Sequence, residues 1–353
     1  MWNFEIIDSI PESVQSEHVF FHPAMIEAWM KTYVPLRKMT PIYIKGVNGE
    51  SAMYLPLVLW TRNWKNAFVR TLVAIGYSDF DYHDPIVNGE RPDKEAISSF
   101  WSELISFLKS KYTIDSFTIE GITDAMAYGS DWQKGEICPR LDLKDVPDED
   151  SLMKFFKTSL RGDLRRQMRR LEEIGPLRLR EFHSWEDIPE ETFTQFMHQH
   201  ALRWPNAYKA PHFHENLLKI GLRAGVVHFS TLLVGETEIA WHLGFTYKGR
   251  YYYYMPAGNK DFSKFSPTKV HLFFLMRRAV EQGYEVYDHL RGDENYKSGW
   301  SNGFIHVNTF SGTTSSIRTI VRDSLLKIRH LPPPPEIINW GSPLYAVQHE
   351  EAA

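Results

Sequence analysis

Cysteine is almost missing: Cys138 is the only one in 353 residues. A single thiol excludes an intramolecular disulfide and a zinc–thiolate cluster, and leaves Cys138 as a small apolar residue for the core. No stretch approaches the 18 or so consecutive apolar residues of a spanning helix, and residues 1 to 20 lack a basic segment followed by an apolar run. The expectation is a cytoplasmic protein without a transmembrane segment. An excess of one charge is lacking too. The chain has 40 basic and 44 acidic residues and a net charge of −4, which excludes a global basic surface for nucleic acid. What is present is 43% hydrophobic and 24% charged, enough for one large core or two modest ones, and two domains are expected.

Local patterns then place elements along the chain. Phe20 to Tyr33 reads as a short amphipathic helix, and Pro41 to Lys45 and Ala52 to Trp60 as strands joined by the turn Val47-Asn48-Gly49-Glu50. A strand from Phe68 to Ile75, a helix from Asp93 to Lys111 and a strand from Ser116 to Gly121 follow. The same order returns later. Val226 to Val234 and Glu238 to Tyr247 form a hairpin turning at Gly235-Glu236-Thr237, where Gly49-Glu50-Ser51 turned the first. Gly258, Asp261-Phe262 and Pro267 repeat the offsets of Gly76, Asp79-Phe80 and Pro85. The chain therefore reads as two copies of one hairpin, strand, helix, strand unit.

In the second copy, Tyr251 to Pro256 is a strand and Ser266-Pro267 starts a helix, Ser as a cap and Pro at the first helical position. Val270, Phe273, Phe274, Met276, Ala279 and Val280 give that helix a buried face, Gly283 closes it, and Glu285 to His289 is the next strand. In a β-α-β unit the ligand site lies beyond the first strand, where free amides of the helix favour an anion. That makes Ser263 to Lys269 either a phosphate site or a capped helix with a solvated lysine. Alternation along Glu238 to Tyr247 puts Glu238, Ala240 and His242 on one face, so His242 either faces a cleft or is a satisfied sheet histidine.

Between the copies, Leu152, Phe155, Phe156, Leu160, Leu164, Met168, Leu171 and Ile174 make one long helical stripe. Its other faces carry Arg161, Arg165, Arg166, Arg169 and Arg170. They form either a solvated face or a patch for an acidic partner: an acyl carrier protein, coenzyme A phosphates or tRNA. Strand Leu177 to Phe182 and helices Glu190 to Arg203 and Pro211 to Arg223 follow. His198, His200, His212 and His214 lie two apart on helices and so point to different faces, which argues against a zinc set. Gly299-Trp300-Ser301-Asn302-Gly303 fits the serine-hydrolase pattern, with Asp323 and His330 after it, but a nucleophile elbow needs a strand before the serine and a helix after it. Beyond Gly312 a basic amphipathic helix is expected to pack on the second copy or to meet a membrane surface, before an extended Pro332 to Pro335.

Tyr287-Asp288-His289-Leu290-Arg291-Gly292-Asp293-Glu294, followed by Tyr296-Lys297 and Trp300, resembles the signature of the CelD-like branch of the GNAT acyltransferase superfamily. That branch is linked to bacterial cellulose and exopolysaccharide synthesis and is similar to the Fem aminoacyltransferases. Leu164-Arg165-Arg166 with Gly175, Phe21-His22-Pro23, Leu55-Pro56-Leu57 and Asp81-Tyr82-His83-Asp84-Pro85 extend the resemblance over residues 20 to 310. It implies an α/β (mixed α+β) fold of tandem GNAT-like domains, each a mixed β-sheet flanked by helices. The expected division is 1–150 as a non-catalytic unit or acceptor platform, 151–175 as a basic link, 176–312 as the acyltransferase and 313–353 as helix and tail.

The activity so implied is an N- or O-acyl transfer by direct attack. An acyl group, acetyl for instance, passes from a thioester such as acyl-CoA to an amine or hydroxyl of a small molecule, sugar or polysaccharide precursor, with no metal. The donor would lie between Tyr251 to Pro256 and Glu285 to His289, held by Tyr254, Met255, Lys264, Ser266, Thr268, Lys269, Arg291 and Lys297. Tyr296 would be the acid, and Asp288, His242 and Glu294 are candidates for the base. The same charges could instead form a salt-bridged loop. The superfamily's glycine-rich phosphate loop is replaced by Lys264-Phe265-Ser266-Pro267-Thr268-Lys269. An acyl carrier protein or aminoacyl-tRNA therefore stays open as donor, and so does a scaffold without catalysis.

Overall fold

The computed structural model describes residues 1–63, 66–205 and 207–328. His330 and Pro332 to Pro335 lie outside the described residues. The chain divides into two compact units, residues 1–136 with the segment from His306, and residues 137–305.

The first unit contains β1 (Asn3–Ile7), α1 (Pro23–Arg37), β2 (Met39–Asn48), β3 (Ser51–Thr61), β4 (Arg70–Ala74), β5 (Ile86–Gly89), α2 (Lys94–Lys111) and β6 (Ser116–Thr123). Its sheet runs β1-β2-β3-β4-β6, with β5 against β3. Among the described residues of this unit only β4 and β6 pair in parallel, with α2 joining them. Asp93 accepts from the Ala96 amide at 2.8 Å and so starts α2.

The second unit takes β7 (Trp132–Asp142) from Ile137 onward, then α3 (Glu149–Phe155), α4 (Thr158–Glu172), β8 (Leu177–Phe182), α5 (Glu190–Arg203), α6 (Phe213–Arg223), β9 (Val227–Val234), β10 (Thr237–Tyr247), β11 (Arg250–Gly258), α7 (Pro267–Glu281) and β12 (Val286–Asp288). Sheet order is β7-β12-β11-β10-β9-β8, and again one pair, β11 with β12, is parallel and bridged by a helix, α7. Both hairpins turn on Gly-Glu with the glycine at positive φ, 60° at Gly49 and 59° at Gly235. The tandem organisation is therefore present in the strand order of each unit.

The structure departs from the pattern-based expectation in four places. The stripe over 151–175 is two helices, α3 and α4, broken at Phe156 and Lys157, which both have extended backbone. Leu152, Phe156, Leu164 and Leu171 still reach one core with Val270, Phe273 and Leu275 of α7, while Ile174 is left 54% exposed. In β10 a bulge between Glu238 and Ala240 breaks the alternation. Glu238 accepts from Thr192 Oγ1 at 2.9 Å and Trp241 Nε1 at 3.0 Å, so it parts from His242. Ser266 adopts a left-handed φ of 51° and makes no side-chain cap, although Pro267 does open α7. Finally, β13 (Gly303–Thr313) pairs with β6 from Val307 onward, and the basic helix α8 (Ile317–Ile328) follows it into the first unit, where Arg318 lies 3.7 Å from Asp115.

Ser301 lies between a 3-10 turn and β13, which is no nucleophile elbow. His200 is buried against Tyr208 at 2.8 Å, exposed His212 meets Glu215 at 2.9 Å, His214 is buried and His198 is exposed. Cys138 is buried. Among the described residues no three His, Cys, Asp or Glu side chains gather as a metal set, and no helix is long and apolar enough to cross a membrane.

Candidate active site

The parallel pairing of β11 with β12 lasts for three rungs, Arg250 with Val286, Tyr251 with Tyr287 and Tyr252 with Asp288. β12 then stops. Leu290 turns the chain at a φ of 59°, its amide bonded to Asp288 Oδ1 at 2.9 Å, and the His289 amide goes to Pro139 O. β11 continues to Gly258 with β10 as its partner. Leu243 pairs with Met255 and Phe245 with Tyr252, so Tyr253 and Tyr254 together face Gly244. This bulge turns the strand just where its other neighbour leaves.

The gap is a cleft of about 400 Å³. Tyr253, Pro256, Ala257 and Gly258 form its β11 wall, the start of α7 from Ser266 to Lys269 forms one end, and Tyr296 and Trp300 close another side. Trp300 is fixed by ring contact with Phe156 at 4.8 Å and by its carbonyl on His289 Nε2 at 3.2 Å. Three further lining residues come from the end of α5: Gln199, Arg203 and Trp204.

Of the residues singled out from sequence, Tyr296, Ser266, Thr268 and Lys269 line this cleft. Tyr296 is 40% exposed. Its phenol is pushed up to about 12 by desolvation first and then by Glu294, with Arg203 acting in the opposite sense. The hydroxyl therefore keeps its proton through any ordinary pH. Lys269 is ion-paired and half-buried: Nζ lies 2.5 Å from Asp163 Oδ2, on α4. The hydrogen bond from Lys269 holds the Asp163 carboxyl below the usual carboxylate range. Lys264 offers its carbonyl to Arg170 at 3.4 Å and its Nζ lies over Phe265, outside the cleft lining.

The other candidates sit behind the wall. Asp288 is fully buried, with Arg250 Nη1 3.4 Å from Oδ2. His242 is also fully buried, stacked on Tyr253 at 4.4 Å, and burial holds its pKa well below the ordinary value, with His271 and His228 adding to the effect. It stays neutral. Tyr251 Oη contacts His242 Nδ1 at 3.2 Å and His228 Nδ1 at 2.9 Å, and His228 Nε2 lies 2.9 Å from Glu181. Tyr251 Oη thus links His242 to His228, whose Nε2–H donates to Glu181. Tyr254 packs on Phe245 at 5.0 Å, and Met255 is buried, because the bulge gives the cleft side to Tyr253 and Pro256 instead. Lys297 is 4% exposed and ties the following loop together: Nζ donates to Leu290 O at 3.3 Å and Arg291 O at 2.8 Å and pairs with Glu294 at 2.9 Å. Half-buried Arg291 belongs to that loop.

An anion-favouring helix end, an apolar wall and a neutral phenol thus share one opening. Residues 158–298 match the GNAT acetyltransferase domain family. The matched region includes the lining residues from Gln199 to Tyr296 and leaves out Trp300. By fold the chain is similar to the crystal structure of FemX, with a TM-score of 0.59 at 10% identity over 90% of this chain and 95% of that one. It is likewise similar to a conserved protein of unknown function from Bacteroides thetaiotaomicron VPI-5482, with a TM-score of 0.53 at 9% identity over 86% and 93%. No curated protein matches the chain.

Proposed function

We propose that the protein transfers an acyl group, acetyl in the simplest case, from a thioester such as acyl-CoA to an amine or hydroxyl of a small molecule, sugar or polysaccharide precursor. The observation that carries this reading is the parting of β11 and β12 beside the start of α7, with Tyr296 lining the opening. The residues present suit a phosphorylated thioester in part. Ser266, Thr268 and Lys260 stand with the Thr268 amide at the start of α7, where the Lys269 and Val270 amides are already bonded to Ser266 O, and no Asp or Glu among the described residues lines the cleft. Lys269 is available only if Asp163 releases it. When bound, the donor supplies the activated acyl carbon. As the new C–N or C–O bond forms and the C–S bond breaks, Tyr296 Oη, which keeps its proton up to about 12, gives it to the departing sulfur and takes up the proton that the acceptor amine or hydroxyl loses. Asp288 and His242 are positioning residues here, the first holding the turn that ends β12 and the second backing Tyr253.

A second reading is favoured by one surface. Arg165, Arg166 and Arg169 are exposed on α4, the helix that touches the cleft mouth through Asp163 and Arg170. Such a face suits aminoacyl-tRNA or an acyl carrier protein as donor. The resemblance of Tyr287 to Trp300 to the CelD-like branch supports a cytoplasmic role in polysaccharide synthesis, with the first unit as acceptor platform.

The test is a thermal-shift screen of acetyl-CoA, longer acyl-CoAs and free CoA, with aminoacyl-tRNA as a separate arm. A donor at about 100 times its Kd adds about 2.7 kcal/mol. Tyr296→Phe is expected to lower turnover about 10²- to 10⁴-fold without weakening donor binding. No shift with any donor, or a Phe variant of native rate, defeats the transferase reading.

A further inference from the structure

Among the described residues, the lining of the cleft carries Arg203, Lys260 and Lys269 and no carboxylate. Lys269 is already neutralised by Asp163, whereas Arg203 makes no ion pair among the described residues. Arg203 is exposed at the rim of this lining, where its guanidinium can exchange water for an oxyanion that enters the cleft.

Its position is set from both sides. Gln199, one turn earlier on α5, accepts from the Lys260 amide at 3.1 Å, which fixes that helix on the loop leading into α7. Arg203 follows at the last turn, on the same face of the helix. Its guanidinium lies 5.3 Å from the centroid of the Trp204 ring, and its field reaches the Tyr296 and Tyr253 phenols. The C-terminus of α5 accounts for a cation there. It does not account for the place beside Tyr296 in the same lining.

We infer that Arg203 is a specificity residue for an oxyanion, a carboxylate or a phosphate ester, carried by the acceptor and seated between Trp204 and Tyr296. Guanidinium binds either oxyanion through two parallel hydrogen bonds. Calling the bearer of that anion the acceptor rests on the transferase reading above. The binding of an oxyanion at Arg203 does not.

Two matched probe pairs test it by calorimetric titration of the full chain: N-acetylglycine against N-acetylglycinamide, and N-acetylglucosamine 6-phosphate against N-acetylglucosamine. Within at least one pair the anion is expected to bind about 10- to 100-fold more tightly than its neutral twin. The pair that shows it names carboxylate or phosphate. Arg203→Gln is expected to erase the preference and Arg203→Lys to restore part of it, while the melting temperature of the free protein and its rise with acetyl-CoA stay as they were. Equal binding of both members of each pair, no binding of any probe, or a preference that survives Arg203→Gln overturns the inference. A missing rise with acetyl-CoA in the native protein speaks against the transferase reading alone.

Discussion

Glu181 gives a stability prediction with a defined pH dependence. Its side chain is 18% exposed, accepts from His228 Nε2 at 2.9 Å and pairs with Arg278 Nε at 3.1 Å. The hydrogen bond from His228 is the main reason its carboxyl falls from 4.5 to about 2, with the charges of His228 and Arg278 adding to it against desolvation. A depressed carboxylate stabilises the fold above its unfolded pKa and loses that contribution as pH falls through the folded value. The difference between 4.5 and about 2 corresponds to about 3 kcal/mol at pH 7. At pH 3.5 the unfolded carboxyl is mostly protonated, and about 2 kcal/mol remains. Glu181→Gln keeps the shape and removes the charge. Urea unfolding at the two pH values is expected to show the native protein ahead by these amounts, the gap narrowing on acidification. A gap that does not change with pH, or none at pH 7, would refute the assignment of the charge to this pair.

Four other variants probe the same unit. A Cβ at Gly244 would stand 2.4 Å from His242 Cε1 and 2.6 Å from Tyr252 O, so Gly244→Ala is expected to cost about 1–3 kcal/mol, read as a lower Tm; an unchanged Tm would mean the ring can shift at no cost. Leu164→Ala, at a fully buried site on α4, is expected to cost about 2–5 kcal/mol in urea unfolding, while reversing Arg165, Arg166 and Arg169 on the opposite face leaves stability within about 1 kcal/mol. Asp163→Asn frees Lys269, and titration with CoA at low salt is expected to give tighter binding that fades as salt rises; weaker binding would mean the aspartate positions the lysine.

Both hairpins were legible because each turns on a glycine followed by glutamate, and α2 and α7 because their apolar spacing is regular. Strand β7 was not. Its residues are mostly exposed before Cys138, it contains Gly135 and Pro139, and it is a strand because Arg140 to Asp142 meet β12. The break at Phe156 was invisible because the apolar positions continue in phase across it. The candidate site was read from one continuous motif, so Tyr296, Ser266, Thr268 and Lys269 were found together. Asp288 and His242 were placed on the right strands, but burial depth and the bulge at Tyr253 are tertiary facts that alternation alone does not carry. Arg203 and Trp204 were missed for a different reason. They end a helix more than 80 residues before Tyr296, and their only local sign is a cation beside an aromatic at a helix terminus.

The early end of β12 also bears on how the protein avoids sticking to itself. Past Tyr252, β11 has a strand neighbour on the β10 side only, and a bare strand border is a template for swapping or filament growth. Pro256 lies on that stretch and has no N–H to offer, and the kink at Tyr253 and Tyr254 spoils the flat geometry an incoming strand would need. The same border can thus stay open to a small molecule while rejecting another polypeptide.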